Sequence, residues 1–160
     1  MEAVLKKVYE SRRISTSLKI ISHASALVCA VAYIALLIYS YKKEPMSAVK
    51  VALSALIPYI TVSVMRKIIK APRPYELYSF YETQPKNKKG QSFPSRHVFS
   101  AFVISTLSYT VSLWLSVALL VLGVCLAVSR VFLGIHFVRD VVAGAIVGII
   151  SGILGIIIIL

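Results

Sequence analysis

Four stretches of this chain, 20–41, 51–65, 97–129 and 141–160, contain no Lys, Arg, Asp or Glu. About 20 helical residues cross the ~30 Å hydrocarbon core of a bilayer. A backbone in lipid must bond its own N–H and C=O groups within the segment, which leaves the helix as the simplest solution. The runs therefore predict an all-α fold, a polytopic transmembrane helical bundle of about five spans forming one domain over residues 1–160. A soluble all-α domain is the competing reading. It fails because a chain that is 58% hydrophobic leaves too little polar surface to cover such a body.

The first span is expected at about 20–39. Lys42, Lys43 and Pro45 mark a turn, and the second span covers about 47–69, with Pro58 as a candidate bend. Pro72 and Pro74 end it, since neither donates a helical hydrogen bond. A polar loop follows over 71–93, and its Tyr75, Tyr78, Phe80 and Tyr81 suit headgroup depth. As one helix, 97–129 would be about 48 Å long at ~1.5 Å per residue, too long for one crossing. Two spans with a tight turn near 112–115 are expected instead, and the last span covers 137–160. Gly144, Gly148 and Gly152 recur every four residues there, a stripe that permits close helix contact. The first 19 residues form a basic tail in which Val4–Tyr9 is either an interfacial amphipathic helix or a frayed end.

Charge follows this layout. Of 18 Lys and Arg, 15 fall in the tail, the long loop and the 130–139 connector, and only Lys42, Lys43 and Lys50 fall on the opposite side. The positive-inside rule then puts the tail and the loop in the cytoplasm. The net charge of +12 is confined to short connectors with no nucleic-acid recognition element, so nucleic acid is excluded as a partner. Anionic headgroups and a phosphate substrate account for it. Cys29 and Cys125 fall inside apolar runs and read as small buried residues. His23 reads as a packed or weakly bonded helix residue.

The polar residues at the span ends form three clusters: Arg66 and Arg73; Ser95, Arg96 and His97 after Pro94; and Ser129, Arg130, His136 and Asp140. Ionisable groups beside hydrocarbon are costly and mark function. The five-span layout brings all three to one membrane face. His136 and Asp140 are four apart and share a helical face. A carboxylate there can fix the imidazole tautomer and leave the other nitrogen free to attack phosphorus. His97 can donate a proton to a leaving alkoxide. Ser95 can cap the following helix or bind phosphate with its first-turn amides. Arg66, Arg73, Arg96 and Arg130 can grip phosphate oxygens in pairs. Acidic residues are too sparse for a metal site, so no metal and no cofactor is expected.

These residues resemble the type 2 phosphatidic acid phosphatase family. Its third signature, Ser-Arg, five residues, His, three residues, Asp, matches Ser129, Arg130, His136 and Asp140. The second, Pro-Ser-Gly-His, is Pro94-Ser95-Arg96-His97 here, with Arg96 replacing Gly. The first, Lys, six residues, Arg-Pro, is met by Arg73-Pro74, with Arg66 replacing Lys and Lys67 as a neighbour able to substitute. The resemblance implies His136 as a phosphohistidine-forming nucleophile, Asp140 as its orienting partner and His97 as the leaving-group acid. It implies Arg66, Arg73, Ser95 and Arg130 as phosphate ligands, and no metal cofactor. It also implies six spans and an outward site. Against that pattern the five-span reading is one span shorter at its front, which would invert the site and agrees with the charge count.

The expectation is thus a lipid phosphatase in a bacterial cytoplasmic membrane, acting on phosphatidic acid, phosphatidylglycerol phosphate or undecaprenyl diphosphate. The alternatives are a lipid-linked phosphotransferase and a non-enzymatic transporter or scaffold. Expected partners are the substrate lipid and bilayer lipids, with no oligomeric state implied.

Overall fold

The structure, a computed structural model, describes residues 2–78 and 90–159. Phe80 and Tyr81 lie outside the described residues. The described elements are α1 (Glu2–Glu10), α2 (Arg12–Lys43), α3 (Pro45–Ile69), α4 (Pro74–Leu77), α5 (Arg96–Leu107), α6 (Leu113–Phe132) and α7 (Val138–Ile159), with a 3-10 turn at Ser108–Thr110 between α5 and α6. No strand occurs among the described residues.

Among the described residues, four helices are long and apolar enough to cross a membrane: α2, α3, α6 and α7. The fifth pass is α5, whose 12 residues span about 18 Å at ~1.5 Å each. It is a central helix, in contact with α2, α3, α6 and α7. Val98, Phe99, Ala101, Phe102, Val103, Ile104 and Leu107 on it are all buried. A short helix suffices there because its neighbours, not lipid, surround it.

The outer surface reverses the soluble pattern. On α2 the inward positions are Ser15, Ser22, Ser25, Cys29, Leu36 and Ser40, while Ile20, Leu27, Val31, Ile34 and Ile38 face outward. Small residues on the inner face let helix backbones approach, and the large aliphatics meet lipid. Cys125 departs from the expected burial and lies on the exposed face, whereas Cys29 is buried. His23 is also exposed, with Nδ1 2.7 Å from the Lys19 carbonyl.

The glycine stripe on α7 does the packing expected of it. A methyl group on Gly144 would stand 2.6 Å from the Ser95 carbonyl oxygen, and one on Gly148 would stand 2.7 Å from that of Phe99. Gly152 similarly abuts Thr106, and Gly155 abuts Ser54. Backbone therefore lies on backbone where α5 begins, and the Ser95 N–H donates to the Asp140 carbonyl at 2.9 Å.

Two boundaries differ from the sequence reading. The α5–α6 turn falls at 108–112, ahead of 112–115. Ser108 and Thr110 hydroxyls bond the Ile104 and Leu107 carbonyls at 2.8 Å each, which closes the turn without Gly or Pro. Helix α2 continues about two turns beyond residue 20 toward the N-terminus, because Arg12, Arg13 and Lys19 are good helix formers and can reach outward from the bilayer edge. Helix α3 runs through Pro58 to Ile69, as expected. The tail is itself helical in α1, which packs against α2 and α6.

Chain direction alternates through these passes. Lys43, Glu44, Thr110 and Ile159 line one cavity at the far end. The start of α2, the end of α3, the start of α5, the end of α6 and the start of α7 consequently share the opposite end.

Candidate active site

Three connections meet at that end. After α3, Lys70 adopts a left-handed conformation (φ 50°) and turns the chain toward Arg73. Glu76 accepts from the Arg73 N–H at 3.1 Å and from the Gly90 N–H at 3.1 Å, and the positive φ of Gly90, 63°, suits a residue without Cβ. The Tyr75 N–H donates to Gly134 in the α6–α7 connection at 3.2 Å. Tyr75 is buried within the protein, and the Arg73 guanidinium lies 5.7 Å from its ring centroid.

His136 and Asp140 are both buried, the first 2% and the second 0% exposed. Asp140 Oδ2 is 3.6 Å from His136 Nδ1. The same oxygen accepts from the Phe137 N–H at 2.9 Å and from the Ser92 hydroxyl. Ser92 Oγ also lies 3.3 Å from His136 Nδ1. With Nδ1 occupied in this way, Nε2 is the nitrogen left for chemistry. Burial pulls the His136 pKa down to about 4; the Asp140 contact opposes that shift, while the charges of Arg73 and Arg66 add to it. The ring is neutral at pH 7 and its lone pair is available.

Ser92 is a residue the sequence reading missed. It is completely buried and its N–H donates to the Ala71 carbonyl at 3.0 Å. The available signal was its place two residues before Pro94, inside the segment that carries the second motif.

The arginines divide into two kinds. Arg66, buried on α3, donates to the Pro94 carbonyl at 2.6 Å and the Ser92 carbonyl at 3.4 Å, and also to Gln91. Arg73 donates to Ile135 at 3.3 Å and to Gln91 at 3.2 Å. These two tie the 91–94 segment to the rest of the site. Yet Nε of Arg66, Arg73 and Arg130, together with Ser95 Oγ, are all buried without a hydrogen-bond partner among the described residues. Four stranded donors are costly, since each loses its water without an acceptor. Ser95 sits at the N-cap of α5 and makes no side-chain cap bond, so of its two expected roles capping is not used. Lys67 is exposed, because one residue along a helix turns the side chain by about 100°.

Arg96 is the second kind. Its guanidinium lies 5.7 Å from the Tyr59 ring centroid and 3.5 Å from Ser63 Oγ, toward α3. His97 stands next to it on the rim, exposed and within electrostatic reach of Arg130, His136, Arg96 and Arg66.

The sequence profile of the PAP2 superfamily matches residues 47–159. The chain belongs to the PAP2 superfamily. A lipid A 1-phosphatase of Porphyromonas gingivalis is 30% identical over 139 residues, covering 84% of this chain and 30% of that protein. This chain thus spans under a third of that relative's length. The crystal structure of Aquifex aeolicus LpxE superposes with a TM-score of 0.68 at 21% identity, covering 96% of this chain and 93% of that one. A transmembrane PAP2-type phosphatidylglycerolphosphate phosphatase from Bacillus subtilis superposes with a TM-score of 0.50 at 19% identity, covering 98% and 90%. Both structures share the fold. The PAP2 match begins inside α3 and takes in all three motif clusters, while α1 and α2 lie ahead of it.

Proposed function

We propose that this chain is a membrane phosphatase that hydrolyses a lipid phosphate or diphosphate through a phosphohistidine on His136, without a metal. The observation that carries this reading is that, among the described residues, Arg66 Nε, Arg73 Nε, Arg130 Nε and the N-cap Ser95 Oγ are buried without a partner, beside a buried neutral imidazole. A phosphoryl group has the oxygens those donors lack. Phosphoryl transfer chiefly needs positioning and positive charge around its equatorial oxygens, and arginine supplies both.

In the proposed sequence, His136 Nε2 attacks phosphorus and the bond to the bridging oxygen breaks. His97 gives that oxygen its proton. Asp140 and Ser92 hold Nδ1 while the ring takes on positive charge. Water, losing its proton to His97, then cleaves the nitrogen–phosphorus bond and releases phosphate. No group of three or more His, Cys, Asp or Glu side chains placed to hold a metal occurs among the described residues, and the donor set is cationic. The charge distribution supports a cytoplasmic site in a bacterial inner membrane, and α1 supports an interfacial role for the tail.

Phosphate release from lipid phosphates by the purified chain in detergent, with EDTA present, tests the reading. Release abolished by His136→Ala and retained in EDTA is expected. Strict dependence on added Mg²⁺ would overturn the metal-free site.

A further inference from the structure

The replacement of the motif glycine by Arg96 puts a guanidinium beside His97 at the mouth of an interhelical cavity. Its head rests against Tyr59 and Ser63 of α3, within electrostatic reach of Arg66 and Arg73. Among the described residues no carboxylate lies within ion-pair distance of it. A cavity of about 230 Å³ opens at Arg96 and His97 and is lined below by Ala26, Cys29, Ala101 and Leu126. A second of about 190 Å³, between Tyr33, Leu56 and Val103, shares Tyr59, Ser100 and Ile104 with the first. Numbering along α2 and α5 rises away from the site end, so the two cavities lead from His97 into the depth of the membrane. Proton donor and cation thus share the mouth of an apolar channel.

We infer that Arg96 binds a second anionic group on the leaving side of the scissile bond, so that the preferred substrate is a lipid diphosphate and not a lipid monoester. This rests on the phosphatase reading above. The terminal phosphoryl group occupies the cup, the inner phosphate meets Arg96, and the hydrocarbon chain fills the channel. His136 takes the terminal phosphorus, the bond to the bridging oxygen breaks, and that oxygen leaves on the lipid monophosphate. Water then frees inorganic phosphate from His136. The overall change is lipid diphosphate plus water to lipid monophosphate plus phosphate. A departing phosphate needs charge neutralisation more than protonation, because it is a far weaker base than an alkoxide. Arginine is suited to that, having several donors and a permanent charge.

The test compares farnesyl diphosphate with farnesyl monophosphate, one chain with two headgroups. Both are assayed with the full-length protein in detergent beside Arg96→Gln and Arg96→Lys, with phosphatidic acid as a further monoester. The expected result is that wild type favours the diphosphate in kcat/KM. Arg96→Gln should then lower the diphosphate-to-monophosphate ratio about tenfold or more, the scale of one charge-assisted contact, with partial recovery in Arg96→Lys. Because a ratio is taken within one preparation, partial misfolding of a variant cancels. His97→Ala should also harm the monophosphate reaction more than the diphosphate reaction. A ratio unchanged within about twofold in Arg96→Gln, or a wild-type preference for the monophosphate, overturns the inference while leaving the phosphatase reading intact. No release from any of the three lipids overturns the phosphatase reading itself.

Discussion

The two ends of the bundle are built differently. At the far end the polar groups bond locally: Ser47 to Glu44 at 2.9 Å, Thr110 to Leu107 at 2.8 Å and Ser108 to Ile104 at 2.8 Å. At the site end the bonds join residues distant in sequence: Arg66 to Pro94, Arg73 to Ile135, Ser92 to Asp140 and Tyr75 to Gly134. The far end only has to reverse the chain. The site end has to hold three separate segments in register, and it does so with buried polar contacts that are expensive if broken. Perturbations of equal size should therefore have unequal consequences at the two ends.

The largest effect is expected from His136→Ala, which should lower kcat by about 10⁴-fold or more, as loss of a nucleophile does elsewhere. Next comes a matched pair on α7. Gly144→Ala meets the Ser95 backbone at 2.6 Å, whereas Gly155→Ala meets the Ser54 side chain at 2.7 Å. Neither a carbonyl nor a Cβ can swing aside, so each change should cost roughly 1–3 kcal/mol of stability, and Gly144→Ala, at the site end, should also lose most of the activity. Gly155→Ala should keep activity close to wild type. Equal losses of activity would remove the distinction between the ends.

How much of this was legible in the sequence differs by kind of feature. Membrane-length runs, the three clusters and the glycine stripe are one-dimensional patterns, and each is found where the pattern put it. The division of 97–129 into two passes also follows, once both histidines must face one side. The short α5 is less visible, because its length is set by the four helices around it and not by the bilayer. Ser92 carries no local signal for its bond to Asp140, 48 positions away. Arg66 shows as a cation in the sequence, but its hold on the carbonyls of 91–94 is a tertiary fact. Arg96 follows its motif in position, but its contacts with Tyr59 and Ser63 on α3 are tertiary and carry no local signal.

Smaller effects sharpen the contrast. Ser92→Ala leaves Asp140 and His136 Nδ1 short of a partner and should slow turnover roughly 10- to 100-fold, corresponding to about 1–3 kcal/mol for a stranded buried group. Ser47→Ala at the far end should change stability by no more than about 0.5 kcal/mol. The protonation of His136 supplies a spectroscopic counterpart. Its folded-state pKa is lowered to about 4 from the ordinary 6.5, so the native ring stays neutral while an unfolded one protonates. Acid thus favours unfolding progressively as pH falls from 6.5 toward 4. Nitrogen chemical shifts of the histidine rings in micelles should show His136 still neutral at about pH 5.5. Asp140→Asn, which removes the contact opposing the shift, should depress the pKa further.

The central claim is that one buried imidazole becomes covalently phosphorylated while arginines hold the phosphoryl oxygens. A base-quenched reaction with a ³²P-labelled lipid phosphate, followed by peptide mapping, addresses it directly. Label on the peptide containing His136, absent from His136→Ala together with phosphate release, is the outcome this mechanism requires. Undiminished release by His136→Ala, with no labelled histidine in the wild type, would contradict it.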